Sequence, residues 1–164
     1  MSQSKKTNIG MAQTILKRAE LSPDAQALTF EGRSQTFAEF GERIRSIAGV
    51  LRDGGVCQGD RVGYIGLNHP GFLETLYACG CLGAIFVPLN FRLTGPEVRF
   101  IANDAGIQTM LADDNFIALI DDQKNHLHCR RYISIDDDAK GWDRLETLLT
   151  DREPLSLIEH VSED

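Results

Sequence analysis

The sequence predicts an α/β domain, in which a mixed, largely parallel sheet is layered with helices. Between residues 60 and 113, short apolar runs alternate with helical patterns in the order strand, helix, strand, helix, strand. Helices of this length between strands require parallel crossovers. The chain has 164 residues, of which 42% are hydrophobic and 25% charged, so it can bury one core. The pattern weakens after residue 113, and we therefore expect an incomplete part of a larger domain.

The segment ahead of this region predicts a helix and a small β-hairpin. Residues 1–9 are polar and are expected to form a flexible N-terminus. Pro23 ends the first helix, whose apolar face is formed by Ala12, Ile15, Leu16 and Ala19. Two short strand patterns then flank residues 31–33, where Gly32 supplies a positive φ at the first turn position.

A second helix is predicted from the capping box Thr36-Phe-Ala-Glu39 to Gly54-Gly55. Its three arginines, Arg43, Arg45 and Arg52, lie off the apolar face. Two interpretations are open for them, an anion-binding patch or a solvated helix surface. The solvated surface is favoured, because charged residues on the polar face of an amphipathic helix usually contact water.

The central region begins with an apolar run at residues 62–67, which is typical of a strand covered on both faces. Pro70 opens a helix that is apolar almost all round and is therefore predicted to be buried. A second strand follows at residues 84–89, with Pro88 near its end, where a missing N–H costs little.

A second capping box, Thr94-Gly-Pro-Glu97, starts the next helix, Gly106 ends it, and residues 107–111 form the third strand. Beyond Asp113 the sequence predicts three further elements and a linker: a helix around 116–120, a strand at 132–135, a helix over 142–149, and a linker at 151–164. The aspartate triplet at 136–138 could attract a divalent cation, but a solvated turn is favoured because no oxygen-rich loop pattern surrounds it.

Composition excludes several classes of function. The net charge of −7 argues against nucleic-acid binding, which needs a basic surface. No apolar run reaches membrane-spanning length. The four cysteines have neither a disulfide pattern nor zinc-ligand spacing, so we predict free thiols, no metal site and a cytoplasmic location.

Candidate binding residues come only from their position in the fold. Ligands of open α/β sheets bind beyond the carboxyl ends of strands, and two such ends carry polar loops with Asn68, Asn90 and Arg92. The alternative is structural, with Asn68 capping its helix and Asn90 satisfying a turn. No catalytic, cofactor-binding or metal-binding residue can be assigned from the spacing of motifs.

Three segments carry a more specific signal than composition and spacing do: ALTFEGRSQTFAEF, GDRVGYIGLNHPGFLETLYACGCLGAIFVPLNFRLTGPEV and FIANDAGIQTMLAD. The order and spacing of their short motifs resemble the N-terminal part of AMP-forming acyl-CoA synthetases, especially bacterial fatty-acyl-CoA synthetases. These motifs are Gly59-Asp60-Arg61-Val62, Asn68-His69-Pro70, Gly83-Ala84, Pro88-Leu89-Asn90, and Arg92-Leu93 followed by Glu97.

The resemblance implies an enzyme that joins a fatty or other carboxylic acid to ATP, and then transfers the acyl group from the adenylate to coenzyme A. ATP, Mg²⁺ and coenzyme A are implied for the complete enzyme, and none is expected to bind this chain alone. The phosphate loop and catalytic lysine of the family are absent here, so residues 10–150 are expected to be an N-terminal α/β subdomain without activity. Two alternatives stay open, a non-catalytic α/β binding module, or an adenylating enzyme that uses another acid or a carrier-protein thiol.

The apolar helix after Pro70 also carries an expectation about assembly. Phe72, Leu76 and Tyr77 are expected to remain uncovered by this chain alone. Uncovered apolar surface of this kind predicts either a homo-oligomer or packing onto a missing part of the enzyme.

Overall fold

The computed structural model describes residues 10–150 and 152–156. The predicted flexible N-terminus (1–9) and most of the predicted linker (151 and 157–164) lie outside these residues. The strands are β1 (Gln26–Phe30), β2 (Arg33–Thr36), β3 (Arg61–Ile65), β4 (Ile85–Leu89), β5 (Ile107–Ala112), β6 (Arg131–Ser134) and β7 (Asp143–Arg144). The helices are α1 (Met11–Leu21), α2 (Phe37–Asp53), α3 (Pro70–Leu82), α4 (Gly95–Ala105), α5 (Asp114–Asp121) and α6 (Leu145–Leu149), with a short 3₁₀ helix at Lys124–His126.

A five-stranded sheet in the order β4-β3-β5-β6-β7 forms the centre, and all four of its strand pairs are parallel. β3 pairs with β4 from Arg61↔Ile85 to Ile65↔Leu89. β1 and β2 form a separate antiparallel hairpin. The predicted α/β class is thus confirmed, since α3, α4 and α5 connect successive parallel strands.

The outer edge of the sheet at β4 is weakened as a pairing surface by proline. The Ile85 amide donates to the Asp60 carbonyl (2.7 Å), so Ile85 turns its backbone groups toward β3. Because backbone groups alternate along a strand, Phe86 and Pro88 turn theirs outward. Pro88 has no N–H, which removes one of the donors that an added strand would need.

Two apolar cores lie on the two faces of the sheet. The first core lies between the sheet and α1, α2, α3 and α6, and its buried residues include Leu16, Ile44, Ile47, Leu51, Val62, Tyr64, Ala78, Leu82, Ile133 and Leu145. The second core lies under α4 and α5, and includes Ile65, Leu89, Val98, Ala102, Met110, Ile120 and Trp142. β3 contributes alternate residues to both cores, which confirms the prediction of a strand covered on both faces.

Helix ends follow the predicted capping chemistry with one exception. The Thr36 and Thr94 capping boxes are both formed, and Gly106 ends α4 with φ 71°. The exception is α3. Asn68 was predicted as its possible N-cap, but His69 takes this place, because its Nδ1 accepts a hydrogen bond from the Gly71 amide at 3.0 Å.

The hairpin forms as predicted, but its turn differs by one residue. Glu31 occupies the first turn position with φ 48°, and Gly32 follows at φ 77°. Two successive positive φ values are typical of the tight turn that matches strand twist. Gly32 therefore lies at the second turn position, and Glu31 adopts the left-handed conformation at the first.

Two predictions about helices were wrong in part. The last helix is shorter than expected, because Trp142 precedes a short strand, β7, that the sequence pattern did not indicate. On α3, the three side chains expected to remain uncovered, Phe72, Leu76 and Tyr77, are half-buried within this chain. The Phe72 ring packs edge-on against the Phe86 ring, with centroids 5.0 Å apart. The Tyr77 ring packs in the same way against the Phe40 ring, with centroids 5.9 Å apart.

Within the described ranges, no helix combines the length and apolar character needed to cross a bilayer.

Candidate functional site

The topology directs attention to the carboxyl ends of β3 and β5. These strands are neighbours, yet the chain leaves β3 toward β4 and leaves β5 toward β6, on opposite sides. Such a reversal opens a crevice at the strand ends, which is where open α/β sheets bind ligands. The hairpin β1–β2 contributes Phe30 to this crevice, and three adjoining cavities meet there.

The first cavity is an apolar groove of about 540 Å³ at the ends of β3 and β4. It brings together two of the three predicted candidates, Asn68 and Asn90, which both lie in its wall. Asn90 Oδ1 accepts a hydrogen bond from the Arg92 amide at 2.9 Å, so its side chain also stabilises the turn, as the structural alternative expected. The apolar part of the wall consists of Leu28, Phe30, Leu67, Pro70, Phe72, Leu73, Leu89 and Phe91.

Arg92, the third candidate, does not line any of the three cavities. It is exposed on the loop after β4, with its guanidinium carbon 5.4 Å from the centre of the Phe91 ring. Stacking on this ring orients the side chain without neutralising its charge. The Arg92 backbone amide therefore binds Asn90, whereas Arg92 is not among the residues that line the groove shared by the two asparagines.

His69 joins three elements at the crevice. Its Nδ1 caps α3, its Nε2 lies 3.5 Å from Asp136 Oδ1, and the ring of Phe30 contacts it edge-on with centroids 5.1 Å apart. Because Nδ1 accepts a hydrogen bond, a neutral His69 carries its proton on Nε2, which faces the Asp136 carboxylate. This geometry ties the hairpin and the loop after β6 to the start of α3.

A second, acidic cavity of about 580 Å³ lies at the ends of β3 and β5. Asp113 is buried there and holds the neighbouring loops, since it accepts hydrogen bonds from the amides of Asn115 (2.9 Å) and Leu67 (3.3 Å). Burial raises the pKa of Asp114, and a hydrogen bond from the Asp137 amide opposes this effect. No group of three histidines, cysteines or carboxylates in residues 10–150 and 152–156 is arranged to hold a metal ion.

The third cavity, of about 950 Å³, is polar and lies between the hairpin, α2 and α6. Its floor holds the ion pair of Arg43 with Glu74, whose Nε and Oε1 atoms are 2.9 Å apart. Arg43 also binds Glu146 through both terminal nitrogens, at 2.7 and 3.2 Å. Burial acts to lower the pKa of Arg43, but the hydrogen bonds to Glu146 and the charges of both carboxylates outweigh it and raise the pKa above its ordinary value.

This ion-pair network corrects the interpretation of the α2 arginines. Arg52 is exposed as expected, but Arg43 has only 29% of its side chain exposed and bridges two helices. The sequence carried one usable signal, a glutamate at position 74 within an otherwise apolar helix. A charged residue in a buried segment needs a partner of opposite charge.

The family of this chain follows from its match to a family model. The family model described as "AMP-binding enzyme" matches residues 15–161, which is most of the chain. The chain belongs to the AMP-binding enzyme family. This confirms the family that the short motifs of the sequence predicted.

Known members of the family are similar over large parts of this chain. A feruloyl-CoA synthase from Amycolatopsis sp. is 46% identical over 104 residues, covering 63% of this chain and 21% of that protein. An indoleacetate–CoA ligase from Aromatoleum aromaticum is 34% identical over 139 residues, covering 85% and 27%. The crystal structure of the N-terminal domain of FACL13 from Mycobacterium tuberculosis superimposes with a TM-score of 0.82 at 26% identity, covering 94% and 40%. The chain thus spans about a quarter of the length of these curated relatives.

Proposed function

We propose that this chain is the N-terminal part of an ATP-dependent fatty-acid–CoA ligase. The main support for this proposal is the family match over residues 15–161, together with relatives whose names are those of CoA ligases. The complete enzyme joins the acid to ATP, and then passes the acyl group from the adenylate to the thiol of coenzyme A. Mg²⁺ offsets the phosphate charge in the first step.

In this proposal the described residues are a scaffold with no reacting group. The parallel sheet fixes the loops at its carboxyl edge, and the remainder of the enzyme supplies the groups that bind phosphate and stabilise the transition state. The chain alone is therefore inactive. A cytoplasmic location suits this proposal, because ATP and coenzyme A are available there and all four cysteines are free thiols.

The apolar groove supports an acid with a substantial hydrocarbon part. Asn68 and Asn90 give it two amides at an otherwise apolar wall, a combination typical of small-molecule sites. We assign this groove as one wall of the acyl site, with Arg92 placed beside it to attract an anionic group of a substrate. Aryl acids are the competing class, because ferulate and indoleacetate occur in the names of the relatives.

The test is a panel of acids and acceptors given to a longer polypeptide that continues this chain to the length of its relatives. Formation of acyl-CoA from fatty acids, at higher kcat/KM than from ferulate or indoleacetate, supports the proposal. Preference for an aryl acid, or transfer to a carrier-protein thiol, supports the alternative enzyme. Absence of adenylate with every acid supports the non-catalytic binding module.

Variants of the same polypeptide test the groove. Asn68→Ala and Asn90→Ala should each raise KM for the acid about fivefold, the equivalent of one neutral hydrogen bond. Asn125→Ala is the matched control, since Asn125 is exposed and lines none of the three cavities. Unchanged KM in both groove variants would remove the groove from the acyl site.

A further inference from the structure

The polar cavity between the hairpin, α2 and α6 has an unusual floor. Glu74 lies there with 1% of its surface exposed, on the helix that packs against both α1 and α2. Four arginines and six carboxylates line the cavity, so its wall carries an excess of negative charge. A buried carboxylate in such a place requires strong donors.

The donors present satisfy only one oxygen of Glu74. Oε1 accepts from Arg43 Nε at 2.9 Å and from Gln35 Nε2 at 3.3 Å. In the part of the chain that the structure describes, Oε2 has no hydrogen-bond partner, and neither does the side-chain oxygen of Gln35. Two acceptor atoms in one cavity wall therefore lack a donor, which is costly for buried polar groups.

The charge of Glu74 is also only partly balanced. Arg43 directs its two terminal nitrogens to Glu146 and only Nε to Glu74. One cation thus serves two carboxylates, and the cluster keeps a charge of about −1 in a partly buried setting. A second cation with N–H donors would balance the remaining negative charge and donate hydrogen bonds to the two free oxygens of Glu74 and Gln35.

We propose that this cavity binds an organic cation that carries N–H donors, a primary ammonium or a guanidinium group, at Glu74 and Gln35. The cation donates to Glu74 Oε2 and to the Gln35 oxygen. Gln35 moves to admit it, because its 3.3 Å bond to Glu74 is longer and weaker than a charge-assisted bond. The group comes either from a free amine or from a lysine or arginine of a further polypeptide segment. This inference does not depend on the proposed function.

The test is calorimetric titration of the 164-residue chain with n-butylammonium and with methylguanidinium. Tetramethylammonium is the matched control ligand, because it carries the same charge without an N–H donor. Ionic strength is kept constant with NaCl, so that screening alone gives no signal. Binding of the two donors and none of tetramethylammonium is the expected result.

Two variants locate the site. Glu74→Gln should weaken binding about tenfold or more, since it removes a charge-assisted hydrogen bond. Glu42→Gln removes a charge from an exposed residue on the wall of the same cavity, and should leave affinity within about twofold. If circular dichroism shows that the Glu74→Gln variant does not fold, Gln35→Leu is tested in its place, and weaker binding is expected.

Three results overturn the proposal. They are no heat above the NaCl blank, binding of tetramethylammonium as tight as that of the two N–H donors, or an equal loss of affinity in Glu74→Gln and Glu42→Gln. Repeating the titration on the longer polypeptide separates the two sources of the cation. Binding of the free amine to both proteins indicates a small-molecule site. Binding to the 164-residue chain alone indicates that a lysine or arginine of the longer protein fills the cavity.

Discussion

The two faces of the sheet hold charge in different ways. The first core encloses a carboxylate, Glu74, which lies at 1% exposure and depends on Arg43. The second core keeps its ion pair at the rim, where Lys124 and Asp121 lie 2.9 Å apart with side chains 24% and 41% exposed. Lys124 also contacts the faces of two aromatic rings, those of Tyr132 (4.4 Å to the centroid) and Trp142 (4.7 Å).

The difference predicts that depth, more than the number of contacts, sets the free-energy cost of losing a charge. An ion pair at the rim can be replaced by water when one partner is removed. A buried carboxylate cannot, because its remaining charge stays in a medium of low polarisability. The two faces therefore give a direct comparison within one protein.

The largest effect should come from breaking the buried network. Arg43→Met leaves Glu74 without its main partner, and we expect a loss of about 3–5 kcal/mol in the free energy of unfolding. Chemical denaturation followed by circular dichroism measures it. Arg52→Met on the same helix is the control and should stay within about 0.5 kcal/mol, because Arg52 is half exposed. Equal effects of the two substitutions would refute the comparison.

The next effect compares packing in the two cores. Leu51→Ala on α2 and Ile120→Ala on α5 each remove a fully buried side chain, and each should cost about 2–5 kcal/mol. Leu51→Ala should cost more, since α2 is held between α1 and α3 and cannot move to fill the cavity, whereas α5 is an eight-residue helix. Denaturation midpoints give the order, and a larger loss for Ile120→Ala would show that α5 is the more rigid element.

A smaller loss is expected at the rim of the second core. Lys124→Met removes the ion pair with Asp121 and the contacts with both rings, at a cost of about 1–2 kcal/mol. Fluorescence of Trp142, the only tryptophan, reports unfolding of this region directly. Lys140→Met is the control without an ion pair in the described structure. A loss as large as that of Arg43→Met would show that the rim pair is effectively buried.

The smallest perturbation leaves the fold intact and tests thiol burial. Burial raises the pKa of Cys79 to about 12, and those of Cys81 and Cys129 to about 11, whereas Cys57 is exposed. At pH 8 the three buried cysteines carry almost no thiolate, so only Cys57 should react quickly. Titration with a chromogenic disulfide should count one thiol in the native protein and four in denaturant. Fast reaction of a second thiol would show that one of the cores opens.

Local signals in the sequence were sufficient for much of the fold. Capping boxes at Thr36 and Thr94, the glycine that ends α4 and the alternation of strands with helices depend on neighbouring residues, and the structure confirms them. The position of Asn68 and Asn90 was predicted from the strand that each of them follows, since both come just after the carboxyl end of a predicted strand. What they bind does not follow from that position.

Contacts between residues distant in sequence could not be predicted in the same way. Arg43 meets Glu74 and Glu146, which are 31 and 103 residues away, so the helical pattern of α2 showed its polarity but not its depth. His69 takes the cap of α3 because its ring also packs on Phe30 of the hairpin. β7 has two residues, which is too short for any periodicity to indicate it, and among the described residues it pairs only with β6.

The most direct test of the proposed function is ATP–pyrophosphate exchange across a panel of fatty and aryl acids. The 164-residue chain should give no exchange with any acid, because the proposed function assigns the phosphate-binding and transition-state groups to the remainder of the enzyme. The longer polypeptide should give exchange that depends on both the acid and Mg²⁺. Exchange by the 164-residue chain alone would contradict the account, since it would place the catalytic groups within the residues assigned here as scaffold.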